Sequence, residues 1–374
     1  MSDRILITGG AGFIGSHLAD NLLRQGYRVR VLDVLSPQVH GAARQRPAYL
    51  SRDVELIVGD VRDPQAVRRA LAGVDAVFHL AAAVGVGQSM YQIAEYTSIN
   101  NLGTGVLLEA LLERRDHISR LVVASSMSIY GEGRYIDEAG KICTGVERSL
   151  EQLRNREWEV VNEHGEVLRP IATPESKQPS LASVYALSKY DQERMSLLVG
   201  RAYSIPTVAL RFFNVFGPRQ ALCNPYTGVL AIFASRLLNN HAPTIFEDGL
   251  QRRDFVSVYD VAEACRLALE VPDAAGRVLN VGSGRSSTVL EIADRMARVL
   301  GRPQIKPEIL GSYRVGDIRH CFADISLAQR LLGYEPKVAL EEGLTELAGW
   351  LEQQQAEDRG DAARAELETR GLAI

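Results

Sequence analysis

Two side chains four positions apart, Tyr185 and Lys189, have the types and the spacing for acid–base chemistry. On a helix they share one face, because residues at i and i+4 are neighbours. A free tyrosine has a pKa of about 10, and lowering it by about three units takes roughly 4 kcal/mol of preferential stabilisation of the phenolate. A lysine ammonium supplies part of that field, so the pair predicts a tyrosinate that acts as a general base on a hydroxyl. The same spacing is also common in helices that have no catalytic role.

Hydroxyl groups follow an apolar run that ends at Ala124, in the segment Ser125-Ser126-Met127-Ser128. Ligands of parallel α/β sheets bind where the strands end. A serine at this place can therefore orient the hydroxyl that Tyr185 deprotonates. Packing or loop capping is the competing interpretation for Ser125 and Ser128.

A glycine-rich segment, Gly9-Gly10-Ala11-Gly12-Phe13-Ile14-Gly15, lies between the first apolar run and a helical pattern. Glycines allow a tight turn that brings a pyrophosphate against the helix N-terminus. Asp33 follows about 20 residues later, where a carboxylate accepts hydrogen bonds from an adenosine ribose and repels a 2'-phosphate. Residues 34–37 contain no arginine, so the sequence predicts NAD rather than NADP. An oxidised nicotinamide would also help to lower the pKa of Tyr185 and would accept a hydride.

Short β-rich runs alternate with amphipathic stretches in the first third of the chain. The runs are apolar throughout, which is typical of a parallel sheet that helices cover on both faces. The predicted fold class is therefore α/β, a Rossmann-type doubly wound parallel sheet with a smaller, discontinuous C-terminal α/β domain for the substrate. The predicted strands are 5–8, 29–32, 55–58, 76–80 and 121–124.

The regular alternation breaks after Tyr130-Gly131. Residues 132–183 are rich in charge and are predicted to be an insertion that caps a site or contacts another subunit. The predicted domains are an NAD-binding domain of residues 1–217 plus 255–281 and a smaller second domain of residues 218–254 plus 282–352. Residues 353–374 are predicted to form a polar helical tail.

Composition and charge exclude several classes of partner. The chain is 46% hydrophobic, and its net charge of -4 offers no basic patch for nucleic acid or an anionic membrane surface. The N-terminus lacks the apolar region of a secretory signal, and no apolar stretch reaches the roughly 20 residues that span a bilayer. Cys143, Cys223, Cys265 and Cys321 are scattered without zinc-site or disulfide spacing, so no metal and a cytoplasmic location are predicted. His79 lies in an apolar run and is interpreted as a packing residue.

Taken together, these motifs resemble the extended short-chain dehydrogenase/reductase family, in its NAD-dependent nucleotide-sugar epimerase/dehydratase branch. The resemblance extends over nearly the whole chain, to about Tyr334. Besides the motifs already described, the segments similar to family signatures are Gly59-Asp60-Val61-Arg62-Asp63, His79-Leu80-Ala81-Ala82, Asn100 with Gly103-Thr104, and Arg211 to Pro218.

The resemblance implies a role for each matching position. The implied catalytic residues are Ser126, Tyr185 and Lys189. The implied NAD contacts are Gly9, Gly12, Phe13, Ile14, Gly15, Asp33, Asp60, Val61, Leu80, Ala81, Ala82, Asn100, Tyr185, Lys189 and Phe213. The implied substrate contacts are Ser126, Asn214, Arg253, Arg314, Asp317 and Cys321. The two arginines would bind the pyrophosphate as paired cations, and Asp317 would hold the nucleotide ribose.

The resemblance also bears on the reaction. Dehydratases and decarboxylases of the family carry acidic residues after the serine, where this chain has Met127 and Ser128. It therefore implies 4-epimerisation of a dTDP- or UDP-hexose through a 4-keto intermediate and bound NADH. A dehydratase, decarboxylase or reductase of the same family, and a non-catalytic dinucleotide sensor, are the alternatives.

Three features bear on the sugar. Val84 stands where UDP-galactose 4-epimerases have a lysine, and Cys321 stands where they limit substrate size, although a packing role for Cys321 is an equal alternative. The segment 313–320 is similar to dTDP-L-rhamnose 4-epimerases.

The family also implies a homodimer. The amphipathic stretches 93–114 and 184–202 match the helices that pair family members through a four-helix bundle. Their apolar faces pack within one domain in the alternative interpretation.

Overall fold

The structure, a computed structural model, describes residues 3–143, 146–220, 228–352 and 360–373, so Cys223 lies outside the described residues. The strands in this part of the chain are β1 Arg4–Thr8, β2 Arg28–Asp33, β3 Glu55–Val58, β4 Ala76–His79, β5 Arg120–Ser126, β6 Arg134–Ile136, β7 Ile142–Cys143, β8 Arg169–Ile171, β9 Thr207–Phe212, β10 Asn214–Phe216, β11 Thr244–Ile245, β12 Arg252–Arg253, β13 Phe255–Ser257, β14 Val278–Val281, β15 Ser287–Thr288, β16 Glu308–Ile309 and β17 His320–Cys321.

The α-helices in the same ranges are α1 Phe13–Arg24, α2 Pro37–His40, α3 Pro64–Leu71, α4 Val86–Ser89, α5 Ile93–Tyr96, α6 Gly103–Leu112, α7 Leu150–Arg154, α8 Val184–Ala202, α9 Val229–Leu238, α10 Val258–Glu270, α11 Val289–Val299, α12 Ser326–Leu332, α13 Leu340–Leu351 and α14 Gly360–Thr369. A π-helical turn, Thr97–Leu102, joins α5 to α6. None of these helices is both long and apolar enough to cross a bilayer.

The largest sheet has seven strands in the order β3-β2-β1-β4-β5-β9-β14. All of its neighbouring strands pair in parallel. The chain winds outward from β1 in one direction to β3 and then in the other to β14, so the strand order reverses between β1 and β4. The predicted doubly wound α/β fold is confirmed.

The strands of this sheet are buried on both faces, which explains their continuous apolar character. In β1, Ile5 and Ile7 belong to the apolar cluster on the side of α1 and α10. Leu6 points the other way, into the cluster formed with α3 and α6. Alternate side chains of one strand therefore hold helices on opposite faces of the sheet.

A further apolar cluster lies around α9, α11 and α13. Phe233, Met296 and Leu347 are buried in it. Gly343 lets α13 approach, because a Cβ there would lie 2.8 Å from the ring of Phe216. The separate cluster shows that the C-terminal part of the chain has a core of its own.

The insertion is a small folded unit rather than a loop. β6 pairs antiparallel with both β7 and β8. Tyr135, Val160 and Leu168 form its small buried cluster. The Ser149 side chain caps the first turn of α7 by accepting a hydrogen bond from the Gln152 amide, at 3.1 Å.

Candidate active site

A cavity of about 950 Å³ lies at the carboxyl edge of the seven-stranded sheet. Its lining includes residues that directly follow β1, β4 and β9 as well as residues of the cluster around α9 and α11. In doubly wound folds the point where the strand order reverses is where ligands bind. A volume near the upper end of the range for ligand pockets has room for an extended ligand.

The glycine turn forms one wall of this cavity. Gly9 has a φ of +69°, and a Cβ there would lie 2.8 Å from the backbone of Ala81. A Cβ on Gly15 would lie 2.5 Å from the Cα of Gly10, so glycine is required for α1 to sit against the turn. Gly12 precedes α1 and provides no side-chain cap. The amides of the first turn are thus available to an anion.

Asp33, at the end of β2, is buried beside this turn. Its carboxylate accepts hydrogen bonds from the amides of Ala11 at 3.0 Å and Leu35 at 2.9 Å. His40 lies 3.7 Å away, and burial lowers the pKa of its imidazole although the charge of Asp33 acts against that shift. Asp33 thus holds the turn in place and adds negative charge to the cavity wall.

Tyr185 lies in the first turn of α8. The helix is capped by Ser183, which accepts a hydrogen bond from the Ala186 amide at 3.1 Å. The amide of Tyr185 donates to Ser89 at 3.0 Å. Burial raises the pKa of Tyr185, and a hydrogen bond with Ser126 acts in the opposite direction. The protein alone therefore shifts this pKa away from the value that a general base needs, so the field of a bound cation is required as well.

Lys189 is buried one turn further along α8, and both it and Tyr185 line the cavity. Its Nζ donates to Oε1 of Gln192 at 2.7 Å. Burial lowers the pKa of Lys189 to about 7, while the charge of Glu193 raises it. A lysine with this pKa changes its charge near neutral pH.

A buried polar chain extends from Gln192 to the glycine turn. The Gln192 amide lies 2.9 Å from Thr104 Oγ1 and 3.2 Å from His79 Nε2, and His79 Nδ1 lies 2.8 Å from Thr8 Oγ1. Burial lowers the pKa of His79 to about 3. His79 is thus a neutral member of the hydrogen-bond network that orients Lys189, whereas the sequence suggested only a packing role. The sequence analysis missed Gln192, although its position three residues after Lys189 on one helix face is a signal that could have indicated it.

Asn100 does not line the cavity. It is fully buried in the π-helical turn, where its amide accepts from the Ala83 amide at 2.8 Å and donates to the Ala83 carbonyl at 3.1 Å. It also donates to Ser188 Oγ at 2.9 Å. The structure places Asn100 behind the loop that follows β4, where it can act on a ligand only through that loop.

The remaining positions with a predicted cofactor contact line the cavity together with the predicted catalytic serine. They are Gly9, Gly12, Phe13, Ile14, Gly15, Asp33, Asp60, Val61, Leu80, Ala81, Ala82, Ser126, Tyr185, Lys189 and Phe213.

Five predicted substrate residues also line it, namely Ser126, Asn214, Arg253, Arg314 and Asp317. The buried Oδ1 of Asn214 has no hydrogen-bond partner among the described residues. The Arg253 guanidinium donates to the carbonyls of Arg319 at 2.8 Å and Ile318 at 2.5 Å. These bonds fix the orientation of the guanidinium, but the carbonyls carry no charge that would neutralise it.

The second arginine has a different environment. Arg314 forms an ion pair with Asp317 at 2.7 Å, and its guanidinium lies over the ring of Phe246, 4.7 Å from the centroid. The two arginines therefore share the cavity, but one of them has a carboxylate partner.

Cys321 does not line the cavity. It lies in β17, is 1% exposed, and has its sulfur 3.8 Å from Thr173 Oγ1. Cys321 was interpreted either as a substrate contact or as a packing residue, and the structure places it in the packed interior. Within the described ranges, no three His, Cys, Asp or Glu residues are arranged to hold a metal ion.

A buried ionic cluster joins the insertion to the loop that carries Asp317, and the sequence did not indicate it. Arg319 contacts Glu159 at 2.5 Å, Glu247 at 2.9 Å and Asp248 at 2.6 Å. The cluster consists of Glu132, Arg148, Glu159, Glu247, Asp248, Arg319 and His320.

The cluster also supports the backbone beneath the substrate residues. Arg148 of the insertion donates to Glu247 at 2.7 Å and to the carbonyl of Asp317 at 3.1 Å. His320 accepts from the Arg252 amide at 3.0 Å through Nδ1, so its Nε2 carries the proton that faces Glu159 at 3.0 Å. The insertion thus packs against the substrate side of the cavity.

A glycine turn, a Tyr/Lys pair and two arginines around one cavity of a doubly wound sheet define an enzyme that binds a dinucleotide and a phosphorylated substrate. The model of the NAD dependent epimerase/dehydratase family matches residues 5–145 and 162–282. The chain belongs to this family, whose cofactor is NAD. The segment between the two matched ranges, 146–161, contains Arg148 and Glu159 of the ionic cluster.

Individual relatives are similar over nearly the whole chain. A dTDP-L-rhamnose 4-epimerase of Burkholderia thailandensis is 34% identical over 94% of this chain and 95% of the relative. The UDP-glucose 4-epimerase of Thermotoga maritima, solved with UDP-glucose, is 31% identical with a TM-score of 0.76, covering 94% of this chain and 99% of that one. The UDP-glucose 4-epimerase of Thermus thermophilus, solved with NAD, is 30% identical with a TM-score of 0.75, covering 94% and 100%.

Proposed function

We propose that this protein is an NAD-dependent nucleotide-sugar 4-epimerase that inverts carbon 4 of a dTDP- or UDP-hexose through a 4-keto intermediate. The observation that carries the proposal is the set of titratable groups in the cavity. Tyr185 and Lys189 line it beside Ser126, while the carboxylates that line it in the described part of the chain are Asp33, Asp60, Glu95 and Asp317.

The position of those carboxylates favours epimerisation over dehydration. Asp33 ends β2 and Asp60 follows β3, both on the predicted cofactor side. Glu95 lies 3.8 Å from Arg62, and Asp317 is paired with Arg314. Removing a proton from carbon 5 and expelling water requires an acid and a base beside the sugar. Met127 and Ser128 occupy the positions after Ser126, so the pair is not provided there.

The chain has groups that suit NAD. The glycine turn and the uncapped first turn of α1 suit its pyrophosphate, and the carboxylate of Asp33 suits the adenosine ribose. When bound, NAD supplies a hydride acceptor that is reduced and reoxidised within one turnover.

Each catalytic side chain has a defined task in this proposal. Tyr185 takes the proton of the 4-hydroxyl and later returns one, and Ser126 orients that hydroxyl. Lys189 stabilises the tyrosinate as an ammonium. Arg253, Arg314 and the Asn214 amide hold the substrate pyrophosphate, so that the 4-keto sugar can rotate while its nucleotide stays bound.

We also propose an NAD-binding domain, residues 1–217 plus 255–281, built on the apolar clusters on the two faces of the sheet, and a nucleotide-sugar domain, residues 218–254 plus 282–352, built mainly on the cluster around α9, α11 and α13. The free thiols of Cys143, Cys265 and Cys321 suit a cytoplasmic location.

The proposed assembly is a homodimer through a four-helix bundle. Leu187 and Leu198 of α8 are 47% and 56% exposed and lie three helical turns apart, hence on one face. Ile93 and Leu102, on the neighbouring segment that packs against α8, are 53% and 56% exposed. Light scattering tests this, because Leu198→Glu should convert a dimer into a monomer.

The function is tested by proton NMR of the purified enzyme with dTDP-L-rhamnose, UDP-glucose, UDP-N-acetylglucosamine and UDP-glucuronate, without added cofactor. Inversion at carbon 4 without net change in absorbance at 340 nm is expected for one of them. Tyr185→Phe should lower turnover by about 10²- to 10⁴-fold, whereas Tyr203→Phe, an exposed tyrosine beyond the end of α8, should not. Loss of water or carbon dioxide would contradict the proposal.

A further inference from the structure

The C-terminal helix α14 ends in a turn that reverses the chain. Gly371 has a φ of +68°, its amide donates to the Glu368 carbonyl at 3.0 Å, and the Leu372 amide donates to the Leu367 carbonyl at 2.8 Å. These two bonds with a left-handed glycine are the Schellman motif, which brings the residue after the glycine back against the last turn. Leu372 is therefore held beside Leu367.

The reversed segment docks on the loop that carries the predicted substrate residues. The Val315 amide donates to the Leu372 carbonyl at 2.9 Å, and Ala373 pairs antiparallel with Arg314. On the other side, the Arg370 guanidinium lies over the ring of Tyr91, 4.2 Å from its centroid. The tail, residues 360–373, is thus attached to the Arg314 loop and to Tyr91, whose neighbours Met90 and Gln92 line the cavity.

Side chains of the tail form part of the cavity lining. Leu367 and Leu372 line it, as do the apolar side chains of Val86, Met90 and Val315. Leu367 is only 5% exposed, so it is packed into this wall rather than lying on the surface.

The apolar wall extends to the predicted catalytic tyrosine. Gly316, which follows Val315, approaches Val86, because a Cβ on it would lie 3.8 Å from Val86 Cγ1. Val86 begins α4, and α4 ends at Ser89, the residue that accepts the Tyr185 amide hydrogen. Tyr185 is thereby linked through Ser89 and α4 to Val86, and all three groups, Tyr185, Val86 and the tail leucines, line the same cavity.

We propose that the tail completes the sugar subsite, and that Leu367 and Leu372 make it selective for a hexose with uncharged substituents over a uronate. A carboxylate buried against such a wall loses its hydration without gaining a partner. The tail's own cation in the cavity, Arg364, is paired with Glu368 at 3.0 Å. This inference rests on the proposed function, since it names the sugar class for the same site.

The test is calorimetric binding of UDP, UDP-glucose and UDP-glucuronate to the NAD-loaded protein. UDP-glucose should bind at least about tenfold more tightly than UDP-glucuronate. In a variant that ends at Glu352 the two sugars should bind equally, with the affinity for UDP unchanged to within a few fold.

If the shortened chain does not fold, a point variant provides the test instead. Leu372→Arg should improve binding of UDP-glucuronate relative to UDP-glucose, and Leu150→Arg, an exposed leucine outside the cavity, should leave the ratio unchanged. Equal binding of both sugars by the full chain, or an unaltered ratio in Leu372→Arg, would overturn the inference. Binding does not depend on turnover, so a protein that keeps the ratio but inverts no sugar would refute the proposed function alone.

Discussion

Replacing Arg319 with methionine takes a fully buried guanidinium away from Glu159, Glu247 and Asp248. The side chains of Glu159 and Asp248 are 38% and 32% exposed and can be rehydrated. Glu247 is 1% exposed and keeps only Arg148 among its contacts in the cluster. Breaking one side of a buried ionic network costs about 3–5 kcal/mol, and the rehydration of two partners places this variant at the lower end, at about 3 kcal/mol.

The free energy of unfolding is measured by urea denaturation followed by circular dichroism. The matched control is Arg68→Met. Arg68 makes an equally well-formed contact with Glu113 at 2.8 Å, but both side chains are more than half exposed, so its removal should change nothing measurable. A second readout is the KM for the nucleotide sugar. It should rise in the Arg319 variant, because the buried side chain holds in place the backbone whose carbonyl orients Arg253.

A loss below about 1 kcal/mol for Arg319→Met would refute this reasoning, since exposed ion pairs already reach that value. Adding Glu247→Gln should restore part of the lost stability, because it removes the buried charge left without its partner. Purely additive effects of the two substitutions would show that the residues do not interact.

Three further predictions concern the site and its pH dependence. Gln192→Met should move the alkaline limb of the kcat profile to lower pH, because the Lys189 ammonium loses a hydrogen bond and its pKa falls. Gly15→Ala should reduce the NAD that copurifies, as released by acid and measured at 260 nm, because its Cβ would lie 2.5 Å from the Cα of Gly10. The pKa of Glu159 is lowered to about 2, chiefly by its hydrogen bond with His320. Its contribution to stability is therefore complete above its ordinary pKa of about 4.5 and is lost as the pH falls toward 2, so Glu159→Gln should flatten urea midpoints measured across that range.

Controls follow from the same structure. Gly349→Ala, in a helix with nothing within 4 Å of the added Cβ, should leave bound NAD unchanged. If the kcat profile of Gln192→Met overlays that of the unaltered protein, the titration of Lys189 does not cause the alkaline limb.

Local sequence patterns predicted most of the fold and the cofactor side of the cavity. Each strand of the doubly wound sheet that was predicted lies within two residues of its observed bounds, because buried parallel strands are apolar throughout. The glycine turn was predictable since close approaches at Gly9 and Gly15 permit only that residue type. Both signals depend on residues near each other in the chain.

The features that the sequence analysis did not predict depend on contacts between residues that are distant along the chain. Arg319 meets Glu159 across 160 positions, and Leu372 meets Val315 across the length of α12 to α14. Neither pairing leaves a local pattern. Burial raises the pKa of Tyr185 in the protein alone, and a four-residue spacing could not indicate this because burial is a property of the folded site.

The pairing of Ala373 with Arg314 has a practical consequence for handling the protein. A purification tag or a surface linker attached after residue 374 would follow closely on Ala373, beside the cavity that Leu372 lines. The N-terminal fusion point precedes β1 and therefore lies at the opposite edge of the sheet. Immobilisation or labelling through the N-terminus should preserve ligand access, while C-terminal fusions should show lower apparent affinity for bulky nucleotide sugars.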